Sequence, residues 1–316
     1  MGGDRSWARA RIGALALVWG STFLWIEVAL GALSPVQVTF SRCVLGAVTL
    51  LAACLGSGRR LPGGRGVWGR VTVAAFLCNA LPFTLFSFGQ QSIDSGVAGV
   101  LNATTPLWSL LIGVGTGTER PHPSRLTGLA LGFAGVVLIL APWQATRASG
   151  WGVAAVVVAA ASYAAGFAYL SRFLVGRGVP TVSLSAAQLV AATVLTAPAL
   201  AVGGPAPAGV DLKELLAVVL LGVVSTGLSF HLTYRTVAAE GATSTATVGY
   251  LLPVVSVALG VVLLGEDFGL RTALGMAVVL AGVGLARRRV PGPGRADTAD
   301  DEPTPGPSRQ GGGVRP

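Results

Sequence analysis

Two ionisable side chains, Glu27 and Arg42, stand inside long apolar stretches of the sequence. An unpaired charge in an apolar environment is costly, so such residues are candidates for function by default. At the rise of a helix, Glu27 lies roughly 6 Å and Arg42 roughly 9 Å from the same end of neighbouring helices. This placement predicts an ion pair that serves as an outer gate or a proton-linked switch. A static structural pair, or two side chains that reach the polar interface separately, are the alternatives.

Neutral polar and aromatic side chains form a second set of candidates, placed deeper in the apolar stretches. Asn79 is followed by Phe83 and Phe86 at helical spacing, so these three share one face. Polar groups among aromatic rings suit a small amphipathic or aromatic substrate. The predicted lining of a cavity consists of Trp19, Ser21, Thr22, Asn79, Phe83, Phe86, Asn102, Ser162, Tyr163, Ser225, Ser229 and Tyr250. Alternatively, the hydroxyl groups bond their own helix backbone and the rings are ordinary packing.

Three further residues stand out by type and position. His231 titrates near physiological pH, and either proton coupling or simple solvation at a helix end accounts for it. Pro106 and Pro253 interrupt two apolar stretches. Because interrupted helices at corresponding positions mark binding sites and hinges, this pair is predicted to be a hinge.

No enzyme is predicted. The sequence has no group of His, Cys or carboxylate residues at metal-ligand spacing and no phosphate-binding loop, so no metal or cofactor is expected. The three cysteines, Cys43, Cys54 and Cys78, all lie in apolar stretches and have no paired spacing.

The composition then identifies the elements that must position these residues. Of the 316 residues, 52% are hydrophobic and only 11% are charged, and the mean hydropathy is +0.70. Soluble domains carry about 25% charged residues, so the composition excludes a soluble protein and indicates a polytopic membrane protein. The net charge of +9 does not indicate nucleic acid, because the basic residues are scattered between apolar stretches rather than clustered on one face.

The apolar stretches predict ten membrane-spanning helices, since a bilayer core of about 30 Å needs about 20 apolar residues. They are 12–31, 36–56, 68–89, 95–117, 124–141, 151–171, 181–203, 212–233, 242–264 and 270–286. With the N terminus inside, 15 basic residues fall on the cytoplasmic side and 3 on the outer side. This asymmetry predicts a multi-pass protein of the plasma membrane with both termini in the cytoplasm. Residues 1–11 form a cytoplasmic N-terminal segment, and 290–316, rich in Pro and Gly, a disordered cytoplasmic tail.

An internal repeat relates the two halves of the chain. Segments 106–138 and 253–285 share 11 identities in 33 gapless positions at a constant offset of 147, including Pro106/Pro253 and Glu119/Glu266. Each half holds five predicted helices, 12–141 and 151–286, and an odd number inverts the second half. The predicted fold is therefore an all-α integral membrane protein of ten transmembrane helices in two inverted five-helix repeats. Secondary transporters use this architecture and bind substrate near the midplane between the halves.

The sequence also resembles a known family. The stretch LVWGSTFLWIEVAL at 17–30 is similar to the first-helix signature of EamA-like transporters of the drug/metabolite transporter superfamily, and the Pro-x12-Glu stretches ending at Glu119 and Glu266 resemble its two repeats. The resemblance covers roughly residues 8–289. It implies a ten-helix fold and export or exchange of amino acids, other metabolites or toxic compounds. Glu119 and Glu266, at helix ends, are expected to fix connections between helices.

The predicted function is secondary-active transport, by alternating access, of a small organic metabolite, amino acid or drug-like compound, with export as the direction that the resemblance implies. An uptake permease of the same fold is one alternative, and a membrane scaffold or integral membrane enzyme is another. The expected partners are a small-molecule substrate, the lipid bilayer and a second copy of the chain in a homodimer. A midplane cavity lined by Asn79, Asn102 and Tyr250 would favour transport over a scaffold.

Overall fold

The computed structural model describes residues 2–117, 123–140, 147–204, 209–235, 252–267 and 269–286, and these ranges contain helices and connecting turns but no strand. The helical elements, numbered in chain order, are α1 (Gly2–Leu30), α2 (Pro35–Gly56), α3 (Arg65–Gly89), α4 (Ser95–Gly115), α5 (Pro123–Leu140), α6 (Arg147–Phe173), α7 (Thr181–Ala201), α8 (Leu212–Arg235), α9 (Leu252–Leu264) and α10 (Leu270–Ala286). Glu119, Tyr250 and the predicted tail 290–316 lie outside the described residues.

Seven helices of the described ranges are long and apolar enough to cross a membrane: α1 from Gly13, α2, α3, α4, α6 from Gly150, α7 and α8. Shorter apolar helices occupy the other three predicted stretches, in α5, α9 and α10. The stretch predicted at 242–264 is described only from Leu252 onward. Helix α1 begins ten residues before the predicted start of the first span.

Sequence signals at helix ends explain several of these boundaries. Ser34 and Gln37 form a capping box, in which the Gln37 amide donates to Ser34 Oγ (3.4 Å) and the Ser34 amide donates to Gln37 Oε1 (2.9 Å). Pro35, which has no N–H to leave unpaired, follows as the first residue of α2. Helix α4 is broken into Ser95–Asn102 and Thr105–Gly115, and Pro106 is the second residue of the later segment. The interruption predicted at Pro106 is therefore present.

Among the described residues, π-helical turns occur in α3, in α8 and at the end of α9 (Gly260–Leu264), and those of α3 and α8 lie at matching positions. The turn of α3 spans Phe76–Ala80 and that of α8 spans Leu220–Leu228. Adding the repeat offset of 147 to the first turn gives 223–227, inside the second. A π-helical turn is rare and is found preferentially at functional sites.

Several helix termini meet at one end of the bundle, which we call the Glu266 end. Gln90, just after α3, donates through Nε2 to the carbonyl of Phe23 (2.9 Å) in the last third of α1. Ser95, the first residue of α4, donates its amide to Glu266 Oε1 (2.9 Å), just after α9. Helix α6 begins at the same end, where a Cβ on Gly152 would lie 2.7 Å from the carbonyl oxygen of Gly89. Thus α1 ends where α6 begins.

The opposite end of the bundle, which we call the Cys54 end, joins a different set of termini. Cys54 Sγ, near the end of α2, lies 3.7 Å from Ser183 Oγ, near the start of α7. Leu170 and Leu174, at the end of α6, belong to the same apolar cluster as Val71, near the start of α3. Helix α2 therefore ends where α7 begins.

Contacts between the two halves follow a regular scheme. Helices α2, α4 and α5 pack against α7, α9 and α10, each against the helix five places later. The contact of α1 with α8 corresponds to the contact of α3 with α6. In the same way, the contact of α1 with α9 corresponds to the contact of α4 with α6. The crossing of α5 and α10 is close because it uses glycine: a Cβ on Gly282 would lie 2.4 Å from the Gly132 nitrogen.

Candidate functional site

Arg42 lies on the inner face of α2, with only 2% of its surface exposed. Its guanidinium carbon lies 3.6 Å from the centre of the Phe83 ring of α3, a cation–π contact. Its Nε donates to Thr226 Oγ1 (3.2 Å) in the π-helical turn of α8. Within the described part of the chain its Nη1 has no acceptor. Arg42 thus joins the two halves through neutral groups and keeps an unused donor.

A neutral chain of hydrogen bonds forms the second polar link between the halves. Gln188 of α7, which is fully buried, donates from Nε2 to Asn79 Oδ1 of α3 (2.6 Å). The Tyr234 hydroxyl of α8 donates to Gln188 Oε1 (2.6 Å). Asn79 Nδ2 is buried without an acceptor.

These two links are related by the repeat offset. Asn79 and Thr226 are 147 positions apart, and each lies in the π-helical turn of its helix. Arg42 of α2 reaches Thr226 of α8, and Gln188 of α7 reaches Asn79 of α3. The second helix of each half therefore contacts the π-helical turn of the other half.

Aromatic rings fill the space around this polar centre. Phe86 lies 5.4 Å from Phe23 and 5.9 Å from Tyr163, measured between ring centroids. Tyr163 stacks on Phe167 at 5.8 Å and packs against both apolar clusters of the bundle. Phe83 contacts Phe230 edge to face, at 6.3 Å. The structure brings Asn79, Phe83, Phe86 and Tyr163 to one region, the grouping predicted from the sequence.

A cavity of about 600 Å³ lies at the Glu266 end between α1, α8 and α9, where its lining includes Glu27, Glu214 and Leu264. Glu214 is 5% exposed; its Oε1 lies 3.3 Å from Lys213 Nζ, and its Oε2 has no partner. Asn79 and Asn102 do not line this cavity. Asn79 is fully buried and packed against Gln188.

The predicted ion pair of Glu27 with Arg42 is wrong. Glu27 accepts a hydrogen bond from Gln90 Nε2 (3.4 Å) and lines the cavity, whereas Arg42 contacts Phe83 and Thr226. Within the described ranges no ion pair joins Glu27 and Arg42. The two side chains contact different neighbouring helices.

Glu266 holds the start of α4 with both carboxylate oxygens. Oε1 accepts from the amide and hydroxyl of Ser95, and Oε2 accepts from the Gly96 amide (3.0 Å). This is the connecting role expected for Glu266. Partial burial and the carboxylates of Glu266 and Asp267 raise the pKa of Asp94, the residue just before α4.

The hydroxyl candidates divide between local and long-range contacts. Ser21 and Thr22 both donate to the carbonyl of Val18 in their own helix (3.1 and 3.3 Å), which is the alternative interpretation of them. Ser229 likewise donates to the carbonyl of Ser225 (2.6 Å). Ser162 instead donates across to the carbonyl of Leu77 (2.7 Å), in the π-helical turn of α3. Ser225 Oγ is buried without a partner.

The remaining candidates lie apart from the centre. Trp19 packs half-buried against the apolar core, and the carbonyl of Asn102 accepts from Thr105 Oγ1 (2.7 Å) at the break in α4. His231 is half-buried in α8 and its Nδ1 has no partner. Pro253 is buried at the start of the described part of α9.

Sequence reasoning missed Gln188, Tyr234 and Gln90, which carry the long-range contacts of Asn79 and Glu27. The signal was present for Gln188, because a primary amide inside an apolar span needs a partner as much as Asn79 does. Phe23 and Phe230 carried no such signal, since isolated aromatic residues in an apolar helix look like ordinary packing.

Comparison with known proteins assigns this architecture to a family. The EamA-like transporter family matches the chain twice, over residues 12–141 and 150–288. An uncharacterized transporter of Archaeoglobus fulgidus is 28% identical over 86% of this chain and 95% of its own length. The uncharacterized inner membrane transporter YedA of Escherichia coli K12 is 28% identical over 86% of this chain and 88% of its own.

A probable terminal-alkyne amino-acid exporter of Streptantibioticus cattleyicolor is 27% identical over 87% of this chain and 92% of its own length. Among solved structures, a protein crystal structure with 23% sequence identity superimposes with a TM-score of 0.65 over 90% of this chain and 100% of that chain, which shows a shared fold. With seven helices able to cross a membrane and family matches over most of its length, the chain is a multi-pass membrane transporter and belongs to the EamA-like transporter family.

Proposed function

We propose that the protein is a secondary-active exporter of a small organic metabolite, working by alternating access between two inverted five-helix halves with both termini in the cytoplasm. The assignment to transport rests on the family. The inverted orientation of the two halves, alternating access and the direction of export are what we propose.

The observation that carries the proposal is the pair of links Arg42 to Thr226 and Gln188 to Asn79. Each joins the second helix of one half to the π-helical turn of the other, and the turn residues Asn79 and Thr226 are 147 positions apart. Two similar half-bundles that run in opposite directions can exchange their conformations. A site between them then faces one side of the membrane and afterwards the other. The two π-helical turns lie where such an exchange would act, at the contacts between halves.

The cavity at the Glu266 end supports an exit path in this scheme. It opens between α1, α8 and α9, while the centre around Asn79 is packed. In the predicted orientation this end faces outward, because the basic residues Arg59, Arg60 and Arg65 lie at the other end. Export also agrees with the name of the Streptantibioticus cattleyicolor relative.

Flux through the purified full-length chain tests the proposed function. Proteoliposomes loaded with a mixture of amino acids and small metabolites would be diluted into buffer, with and without an imposed pH gradient, and the released compounds identified by mass spectrometry. We expect release of a limited set of compounds that exceeds release from protein-free vesicles. Equal release from both preparations would support a scaffold, and accumulation from outside with no release would support an uptake permease.

Accessibility of introduced cysteines tests alternating access separately. The native Cys43, Cys54 and Cys78 are buried and are first replaced. A cysteine at Gly31, which lines the cavity, and one at the buried Ser162, which donates to the Leu77 carbonyl of α3, report on the Glu266 end and the interior. A transported compound should change their labelling by a membrane-impermeant thiol reagent in opposite directions. Parallel changes, or none during measurable flux, would contradict alternating access.

Glu27 is the proposed point of proton coupling, because it lines the cavity beside the partly unpaired Glu214. Glu27→Gln should abolish the dependence of flux on the pH gradient while leaving exchange of compound across the membrane. His231→Gln is the comparison variant, since His231 has no contact with this cavity among the described residues. Coupling that survives Glu27→Gln but not His231→Gln would assign the role to His231 instead.

A further inference from the structure

Arg42 presents a charge for which the described residues offer no counterion. It lies seven residues into α2, 2% exposed, and arginine does not lose its proton in proteins. Glu27, the carboxylate predicted to pair with it, contacts Gln90 instead. Among the described residues, the guanidinium contacts the Phe83 ring and the Thr226 hydroxyl, both neutral, and the neutral Tyr163 side chain lies within range of its charge.

These neutral contacts compensate the buried charge only in part. A ring face and one hydroxyl use a fraction of the five N–H donors of a guanidinium, and Nη1 has no acceptor. A buried charge without a partner is costly, and an apolar side chain of similar volume would fill the same space without that cost. The arrangement is therefore poor for stability alone and suited to a group that binds an anion.

Two further unpartnered groups lie beside the contacts of Arg42. Asn79 Nδ2, a donor, is buried one turn before Phe83 on α3. Ser225 Oγ, which can donate or accept, is buried next to Thr226 on α8. One cation with neutral donors matches a singly charged oxyanion, whereas a phosphate dianion would leave excess negative charge in an apolar interior.

We propose that Arg42 binds the carboxylate of the transported compound, so that the substrate class is small organic monocarboxylates whose apolar part packs against the rings of Phe86, Tyr163 and Phe230. The proposal rests on the proposed transport function. Nη1 of Arg42 donates to the carboxylate, and the Asn79 amide and the Ser225 hydroxyl, both buried without a partner among the described residues, are the further polar groups proposed to reach it as the halves separate.

Binding of matched acids and amides to the purified full-length protein tests this. The probes are 3-phenylpropionate, L-phenylalanine, butyrate and L-leucine, each paired with its primary amide, and heat release or thermal stabilisation reports binding. Each amide keeps the shape of its acid and removes only the negative charge. We expect at least one acid to bind, and to bind about 100-fold more tightly than its amide, as loss of one partner of a buried ion pair implies.

Three variants locate the effect. Arg42→Met should remove the preference for acids, and Arg42→Lys, which keeps a charge without the planar fork, should retain about a tenth of the affinity. Arg70→Met, at an exposed position of α3, is the matched control and should bind as the original protein does. Thermal unfolding of Arg42→Met shows whether this variant is folded. Replacing a buried charge with an apolar side chain should not lower its unfolding temperature.

The outcomes separate this inference from the proposed function. If no acid binds, if acids and amides bind equally, or if Arg42→Met keeps the preference, the inference is overturned even where flux is observed. If acids bind through Arg42 but no compound crosses the membrane, the carboxylate site stands and the proposed transport mechanism fails.

Discussion

Arg42 and Glu266 are both charged side chains that join the first half of the chain to the second, and they do so in opposite ways. Glu266 uses both carboxylate oxygens on the Ser95 and Gly96 groups that open α4, at the water-facing end of the bundle. Arg42 lies in the interior with a ring and one hydroxyl as partners and with Nη1 unused. The difference separates a charge whose hydrogen bonds are used within the protein from a charge that we propose binds a ligand.

Gln188 is an uncharged side chain that also joins the two halves, and replacing it should have the largest effect on the free energy of unfolding. Gln188→Leu leaves Asn79 Oδ1 and the Tyr234 hydroxyl buried without partners. We expect the free energy of unfolding to fall by about 3 kcal/mol, since each abandoned buried group costs about 1–3 kcal/mol. Unfolding in mixed micelles measures this. Thr193→Val, which loses only a bond to its own helix, is the control and should change it little.

Glu266→Ala should have the next largest effect. Its loss unpairs the first amides of α4, so we expect the free energy of unfolding to fall by about 2 kcal/mol. Flux per folded molecule should be retained, because Glu266 touches no part of the polar centre. Asp267→Ala, at an exposed neighbouring position, is the control. Loss of flux in folded Glu266→Ala protein would remove the distinction between the two charges.

Thr226→Val tests the contribution of the hydrogen bond that Arg42 makes. The substitution keeps the shape and removes the acceptor of Nε, so we expect a loss of about 1.5 kcal/mol in unfolding free energy. In an Arg42→Met background the same substitution should cost clearly less, and a double-mutant cycle measures the difference. Equal costs in both backgrounds would show that the loss comes from the local bond of Thr226 to Leu221.

Asp94→Asn should have the smallest effect on the free energy of unfolding, and this effect should depend on pH. The raised pKa of Asp94 means that the folded protein holds this proton more tightly than the unfolded chain does. Stability from this group is therefore present at low pH and is lost as pH rises from the ordinary Asp range through the raised value. Asp94→Asn should remove that part of the slope of unfolding free energy against pH, measured between pH 3.5 and 7.

The sequence predicted the helices well and their mutual contacts poorly. Hydropathy located α2, α3 and α8 within a few residues, because apolar length is a property of the chain alone. The pairing of Glu27 with Arg42 failed because distance along a helix gives depth but not direction around its axis. The π-helical turns of α3 and α8, which contain Asn79 and Thr226, have no recognisable sequence signature.

The candidate site was predicted in part for the same reason. Asn79, Phe83 and Phe86 share one helix face, so their grouping follows from spacing within a single element. Gln188 and Tyr234 come from α7 and α8, and the hydrogen-bonded chain from Tyr234 through Gln188 to Asn79 depends on how separate helices pack. The repeat offset was the one long-range signal in the sequence, and it relates Asn79 to Thr226.

The contacts between halves also set an order for biosynthesis. Ser95 is separated by 171 residues from the carboxylate that completes the start of its helix, and Arg42 by 184 residues from its hydroxyl acceptor. The ribosome thus delivers α2 and α4 to the membrane long before either has its partner. Until α8 and α9 arrive, Arg42 faces lipid or translocon and the first amides of α4 depend on water. The first half is a nascent intermediate that the second half completes, and a chain truncated after α5 should be a target for membrane quality control.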